Sequence, residues 1–142
     1  MERPAELMIA LRMPARAGSL RLLRCVLRDL TEQAGMSEAE RGNVLLALNE
    51  ACMNVIQHAY GNDPAGEIRL DILRSESALI FLLQDDAPSV DKNRVRPRDL
   101  ADIRPGGLGV HFIHNIMDEV AFLDCAGQGN KLRMVKYFQS RR

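Results

Sequence analysis

Glu50, Asn54 and His58 recur at four-residue intervals along one segment of the chain. On an α-helix that spacing stacks the three side chains in one line on one face. A carboxylate in that line can accept a proton from an attacking hydroxyl. An amide oxygen one turn further on can ligate Mg²⁺, which takes few protein ligands and fills its shell with water and phosphate oxygens. A solvated polar helix face would carry the same three residues, so the line alone does not decide between the two.

Three other segments carry residues of chemical interest. Asp85-Asp86-Ala87-Pro88-Ser89 follows an apolar run. A carboxylate at such a strand end can accept a hydrogen bond from the amino group of a buried ligand, purine N6 being one example. Asp, Pro and Ser also form turns. Gly106-Gly107-Leu108-Gly109 leads into a helical pattern. There glycines admit close backbone approach and helix N-terminal N–H groups favour phosphate, although a plain loop joint has the same composition. Gly127-Gln128-Gly129-Asn130-Lys131 reads as a hairpin turn between two strands. His111 and His114 lie three apart with no evident third ligand, and read as surface or cleft-edge residues rather than a metal pair.

The surrounding pattern supplies the elements that must position these groups. Residues 5–13 alternate, with Leu7, Ile9, Leu11 and Met13 on one face, and predict a strand with one buried face. Ser19 is placed to cap a helix carrying Leu20, Leu23, Val26, Leu27 and Leu30, which Gly35 stops. Ser37-Glu38-Ala39-Glu40 has capping-box spacing and predicts a second helix to about Ala59. On that helix Val44, Leu45, Leu48, Cys52, Val55 and Ile56 lie mostly opposite the polar line. The period then changes. Residues 67–74 and 78–84 predict an antiparallel hairpin, and further strands are expected at 119–125 and 131–138. Residues 85–105 are polar, proline-bearing and long for a connection, as functional loops tend to be. A helix from the glycines to about Met117 completes the set. Strands and helices do not alternate strictly, so the expected fold is α+β: a two-layer sandwich with helices covering one face of a mixed, mostly antiparallel sheet.

The chain has 142 residues, 46% hydrophobic and 27% charged, which suits a single domain spanning 1–142. Nineteen basic residues balance nineteen acidic ones, and only two tyrosines and four phenylalanines are present. That argues against direct nucleic-acid binding. No apolar run approaches the roughly 20 residues of a membrane span, and the first residues lack the apolar core of a signal peptide. The three cysteines are widely spaced in apolar surroundings and read as buried, reduced thiols of a cytoplasmic protein.

The order of these signals is more specific than any one of them. Glu50-Ala51-Cys52-Met53-Asn54-Val55-Ile56-Gln57-His58-Ala59-Tyr60, then Gly106-Gly107-Leu108-Gly109-Val110-His111-Phe112-Ile113, then Met117-Asp118-Glu119-Val120 and Gly129-Asn130-Lys131-Leu132, resemble the boxes of a GHKL-type, histidine-kinase-like ATPase domain. Within that superfamily the chain looks most like the anti-sigma-factor serine/threonine kinases of bacterial partner switching. The resemblance implies ATP and Mg²⁺ as cofactors. It implies that Glu50 is the general base, that Asn54 holds Mg²⁺, that His58 lies near the nucleotide and that Asp85 binds adenine N6. It implies that Gly106, Gly107, Leu108, Gly109 and Val110 surround the phosphates, with residues 92–105 as a lid. The partners implied are an anti-sigma-factor antagonist with a target serine, a sigma factor or other effector, and a second copy of the chain in a homodimer.

The family's second box usually carries glycines two and four residues after its Asp, where this chain has Ala87 and Ser89. The alternative expectation is therefore a catalytically weak or inactive ATP-binding module that still binds partners. An ATPase using water as acceptor is a third. Asp86 is the neighbour that could stand in for Asp85.

Overall fold

Secondary structure begins and ends where short-range chemistry dictates, with two exceptions. The computed structural model describes residues 3–88, 113–123 and 125–139. Helix α2, Glu38–Asn54, opens on the expected capping box: Ser37 Oγ accepts from the Glu40 N–H at 3.2 Å, and Glu40 Oε1 accepts from the Ser37 N–H at 3.0 Å. Such a cap contributes about 1 kcal/mol. Helix α1, Ala17–Gln33, is the first exception. Its N-cap is Arg16, which makes no side-chain cap bond. Ser19 is not the cap; it lies inside the first turn, and its hydroxyl donates back to the Pro14 carbonyl at 2.8 Å. Gly35, at φ 78°, ends α1 as expected.

The second exception is at the other end of α2. The helix does not run on as α-helix to Ala59 but widens into a π-helical turn, Val55–Ala59, closed by the Tyr60 N–H on the Val55 carbonyl at 3.0 Å. Asn54 is thus the last α-helical residue, and π-helical spacing takes over between it and His58.

Among the described residues five strands form one sheet: β1 (Glu6–Pro14), β2 (Glu67–Arg74), β3 (Ala78–Asp85), β4 (Glu119–Leu123) and β5 (Asn130–Tyr137). Their order is β1-β2-β3-β5-β4, and each neighbouring pair is antiparallel. The register aligns Ile9, Ile72, Phe81, Met134 and Val120 in one row across the sheet. Leu11, Leu70, Leu83, Leu132 and Phe122 form the next. Directly opposite residues share a face, so these rows build one apolar surface. It packs in a single core with Leu20, Leu23 and Leu27 of α1 and with Val44, Ala47, Leu48, Ala51 and Cys52 of α2. Each fully buried side chain of this size contributes roughly 1.5–3 kcal/mol. The result is α+β, a layer of helices on an antiparallel sheet.

Two details depart from the sequence pattern. Leu7 is 58% exposed, because β1 is an edge strand and its register shifts between Leu7 and Ile9. Of the cysteines only Cys52 is buried. Its thiol is pushed up to about 12 by burial alone, which makes it unreactive. Cys25 is exposed and Cys125 half-buried. In α1, positions 20, 23, 27 and 30 face the core, and Cys25 falls on the opposite side.

Candidate functional site

Tyr60, which follows the π-helical turn after α2, bonds the Asp86 N–H just past β3, so the two element ends lie toward one edge of the core. On α2, Ala51 and Cys52 are buried against the sheet, while Glu50 and Asn54 are half-buried one helical turn apart. Asn54 Oδ1 is screened from solvent and has no hydrogen-bond partner among the described residues. A buried carbonyl oxygen without a partner costs about 1–3 kcal/mol. A hard cation is one species that would relieve that cost, since Mg²⁺ takes amide and carboxylate oxygens and completes its shell with phosphates and water. The donor set at Asn54 therefore fits Mg²⁺. Beyond Asn54 the π-helical turn carries His58, which is exposed.

Asp85 is the last residue of β3. The register places it on the helix-facing side between Ile68 and Asn130, one row beyond Leu83. It is only 5% exposed. Its Oδ1 accepts the Asn130 side-chain amide at 2.8 Å and the Ala87 N–H at 3.0 Å. Burial holds the Asp85 carboxyl above the usual carboxylate range, and these two donors pull against that shift. Asp86 is on the other face. It is exposed and forms a two-pronged pair with Arg69, at 3.1 and 3.0 Å. Of the two neighbouring aspartates, Asp85 is the one presented to the interior.

Ala87 is buried, at 3% exposure. Among the described residues only Asn62 and Ala126 are non-glycines with positive φ, so the chain passes through position 87 in a conformation open to alanine. Gly129 is different. It sits at φ +74°, and a Cβ there would overlap the Asp85 carbonyl oxygen. The turn before β5 thus presses its backbone against the end of β3.

Gly106, Gly107, Leu108, Gly109 and Val110, the segment 92–105 and His111 lie outside the described residues. Residues 113–116 are helical; Ile113 and Met117 enter the core, and His114 is exposed.

Sequence reasoning missed two contributors. Asn130 reads as a turn residue, yet it is the side-chain donor to Asp85 from 45 positions away. Tyr60 enters the sequence reading only as the last residue of the Glu50–Tyr60 segment, with no role of its own. Its hydroxyl donates to the Glu67 carbonyl at 2.7 Å and accepts from the Asp86 N–H at 2.7 Å. The signal available for Asn130 was an amide directly after a turn glycine. For Tyr60 it was an aromatic residue placed just before Gly61.

The family profile described as histidine kinase-like ATPase domain matches residues 13–136. The chain is 28% identical over 139 residues to the serine-protein kinase RsbW of Bacillus thuringiensis (strain Al Hakam), covering 92% of this chain and 85% of the relative. The serine-protein kinase RsbW of Bacillus cereus (strain AH187) matches to the same extent. Among solved structures, the SiaB–SiaC complex from Pseudomonas aeruginosa contains a similar chain, with TM-score 0.73 and 15% identity, over 92% of this chain and 89% of that one. The RsbU and RsbW domains of Rv1364c from Mycobacterium tuberculosis match with TM-score 0.66 and 15% identity over 96% of this chain. This chain spans about a third of that longer one, 32%. At such identity the two structures speak for the fold, a sheet with helices laid on it. With the profile matching most of its length, the chain belongs to the histidine kinase-like ATPase domain family.

Proposed function

We propose that the protein is a Mg·ATP-dependent serine/threonine protein kinase that works as a partner switch. Its substrate would be an anti-sigma-factor antagonist, and the same chain would act as an anti-sigma factor. The observation that carries this reading is the buried Asn54 Oδ1, one helical turn from Glu50 and without a partner among the described residues. The names of its relatives, serine-protein kinase RsbW, support it.

In this reading Asp85 accepts a hydrogen bond from adenine N6. Gly106, Gly107, Leu108, Gly109 and Val110 surround the phosphates. Asn54 would hold Mg²⁺, with His58 at the rim. When bound, the ion neutralises negative charge on the transferring phosphoryl group. The substrate serine oxygen attacks the γ-phosphorus, the bond to the β-phosphate bridging oxygen breaks, and ADP leaves. The hydroxyl proton passes to the Glu50 carboxylate. Phosphate on the antagonist adds close to two negative charges at its binding face, which would release it and free the kinase for a sigma factor or another effector. The protein would act in the cytoplasm as a homodimer, each copy a single kinase domain over 1–142. Among the described residues no helix is long and apolar enough to cross a membrane.

A second reading, an ATP-binding partner module without transfer, rests on Ala87 and Ser89 standing where the resemblance calls for glycines. Transfer of labelled γ-phosphate from Mg·ATP to a co-purified antagonist separates the two. Wild type should transfer. Glu50→Gln should bind ATP normally and transfer about 10²–10⁴-fold more slowly. Equal transfer by both proteins removes Glu50 as base. ATP binding with no transfer by wild type selects the second reading.

A further inference from the structure

We infer that Tyr60 is a positioning residue that fixes the spacing between the two halves of the nucleotide site, an inference that rests on the ATP-binding reading above. Tyr60 closes the π-helical turn that follows Asn54, through its N–H on the Val55 carbonyl at 3.0 Å. Its hydroxyl reaches the far end of the β2–β3 hairpin. There it donates to the carbonyl of Glu67, the first residue of β2, and accepts from the N–H of Asp86, the residue after β3. One side chain thus ties the helix end bearing Asn54 to the strand end bearing Asp85.

The tie has little slack. A Cβ at position 66 would lie 2.6–2.7 Å from Tyr60 ring carbons, so the ring rests directly on the Gly66 backbone. The two backbone groups it joins are themselves anchored. Arg12 pairs with Glu67 at 2.9 Å, Arg69 pairs with Asp86 at 3.0 Å, and Arg69 also approaches Glu67 at 3.6 Å. A hydroxyl that both donates and accepts at 2.7 Å has a defined direction. A ligand gripped at both ends binds well only if the two grips are correctly spaced, and small misplacements cost large factors. The Tyr60 hydroxyl bonds the backbone of Glu67 and Asp86, not Asn54 or the Asp85 carboxylate. It sets their separation.

Ligand length provides the test. Binding of AMP in EDTA probes the Asp85 half alone. Binding of a non-hydrolysable ATP analogue with Mg²⁺ probes both halves. Tyr60→Phe keeps the ring and removes both hydroxyl bonds. It should leave the AMP Kd within about twofold of wild type and weaken the Mg²⁺-analogue complex about tenfold. Gly66→Ala keeps the hydroxyl and displaces the ring, and should give the same split. It decides the matter if Tyr60→Phe fails to show a cooperative melt. A structural role alone would weaken both ligands by the same factor, and that result overturns the inference, as does no change in either. The ATP-binding reading is judged separately, by wild type. If wild type binds no Mg²⁺-analogue, the reading fails and the inference with it. If wild type binds and the split is absent, only the inference fails.

Discussion

The two ends of the β2–β3 hairpin are closed in opposite ways. At the Arg74–Ala78 end the turn largely holds itself, with the Phe138 N–H from beyond β5 donating to the Ser77 carbonyl at 2.8 Å. Ser75 Oγ accepts the N–H groups of Ser77 and Ala78 at 3.3 and 3.0 Å, and the Ser75 N–H donates to the Ala78 carbonyl at 2.9 Å. At the Glu67–Asp85 end the partners come from elsewhere. Tyr60 arrives from the helix end, Asn130 from β5 and Gly129 from the turn before it. The first end closes chiefly within four consecutive residues. The second needs three separate elements to arrive together, and it buries a carboxylate whose charge burial disfavours. Stability alone would not select that arrangement, whereas a ligand that uses the carboxylate would.

The contrast is sharpened by substitutions at each end. Gly129→Ala should have the largest effect, a loss of roughly 2–4 kcal/mol in denaturant unfolding. The new Cβ meets the Asp85 backbone at a φ that alanine disfavours. Nucleotide affinity should fall with it, because the end of β3 must shift.

Asp85→Asn should separate affinity from stability. The amide can still accept from Asn130 and Ala87 on one atom, but it offers a donor where the carboxylate offered an acceptor. Adenine-nucleotide affinity should fall about tenfold, the worth of one charge-assisted hydrogen bond, as calorimetry would read. Tm at neutral pH should not fall and should rise slightly. The sign follows from the raised carboxyl. In the folded protein Asp85 binds its proton more tightly than in the unfolded chain, so its ionised form weighs against folding above the folded pKa. That penalty is relieved as pH drops through the raised value toward the ordinary 3.8. The variant's Tm advantage should therefore shrink on acidification, and an advantage that grows would contradict the burial argument.

Ser75→Ala should have the smallest effect, a loss of about 1 kcal/mol from the turn, with nucleotide affinity unchanged. A clear loss of affinity from this distant end would erase the distinction between the two closures.

The same contrast explains what was legible in the sequence. The capping box at Ser37 and Glu40 involves four consecutive residues, the strand at 67–74 declares itself by alternation, and that at 78–84 by a nearly continuous apolar run. Glu50 and Asn54 were legible because helical spacing is local. Asn130 was not, since its partner Asp85 lies 45 residues away and only the β3–β5 register brings them together. Nor does anything in Val55-Ile56-Gln57-His58-Ala59 announce a π-helical turn. It replaces α-helical spacing between Asn54 and His58 through backbone hydrogen bonding, which residue type does not encode. The exposure of Leu7 and Cys25 depends on which strand is the edge and which helix face is covered, and both are decided by tertiary packing.

The central claim is that Asn54 and Asp85 share one Mg·ATP, and calorimetric titration of a non-hydrolysable ATP analogue with and without Mg²⁺ tests it most directly. Wild type should bind at least tenfold more tightly with Mg²⁺. Asn54→Ala should lose that difference without losing nucleotide-free stability, because the Oδ1 it removes has no hydrogen-bond partner among the described residues. Equal wild-type affinity with and without Mg²⁺, or an undiminished Mg²⁺ enhancement in Asn54→Ala, would contradict it.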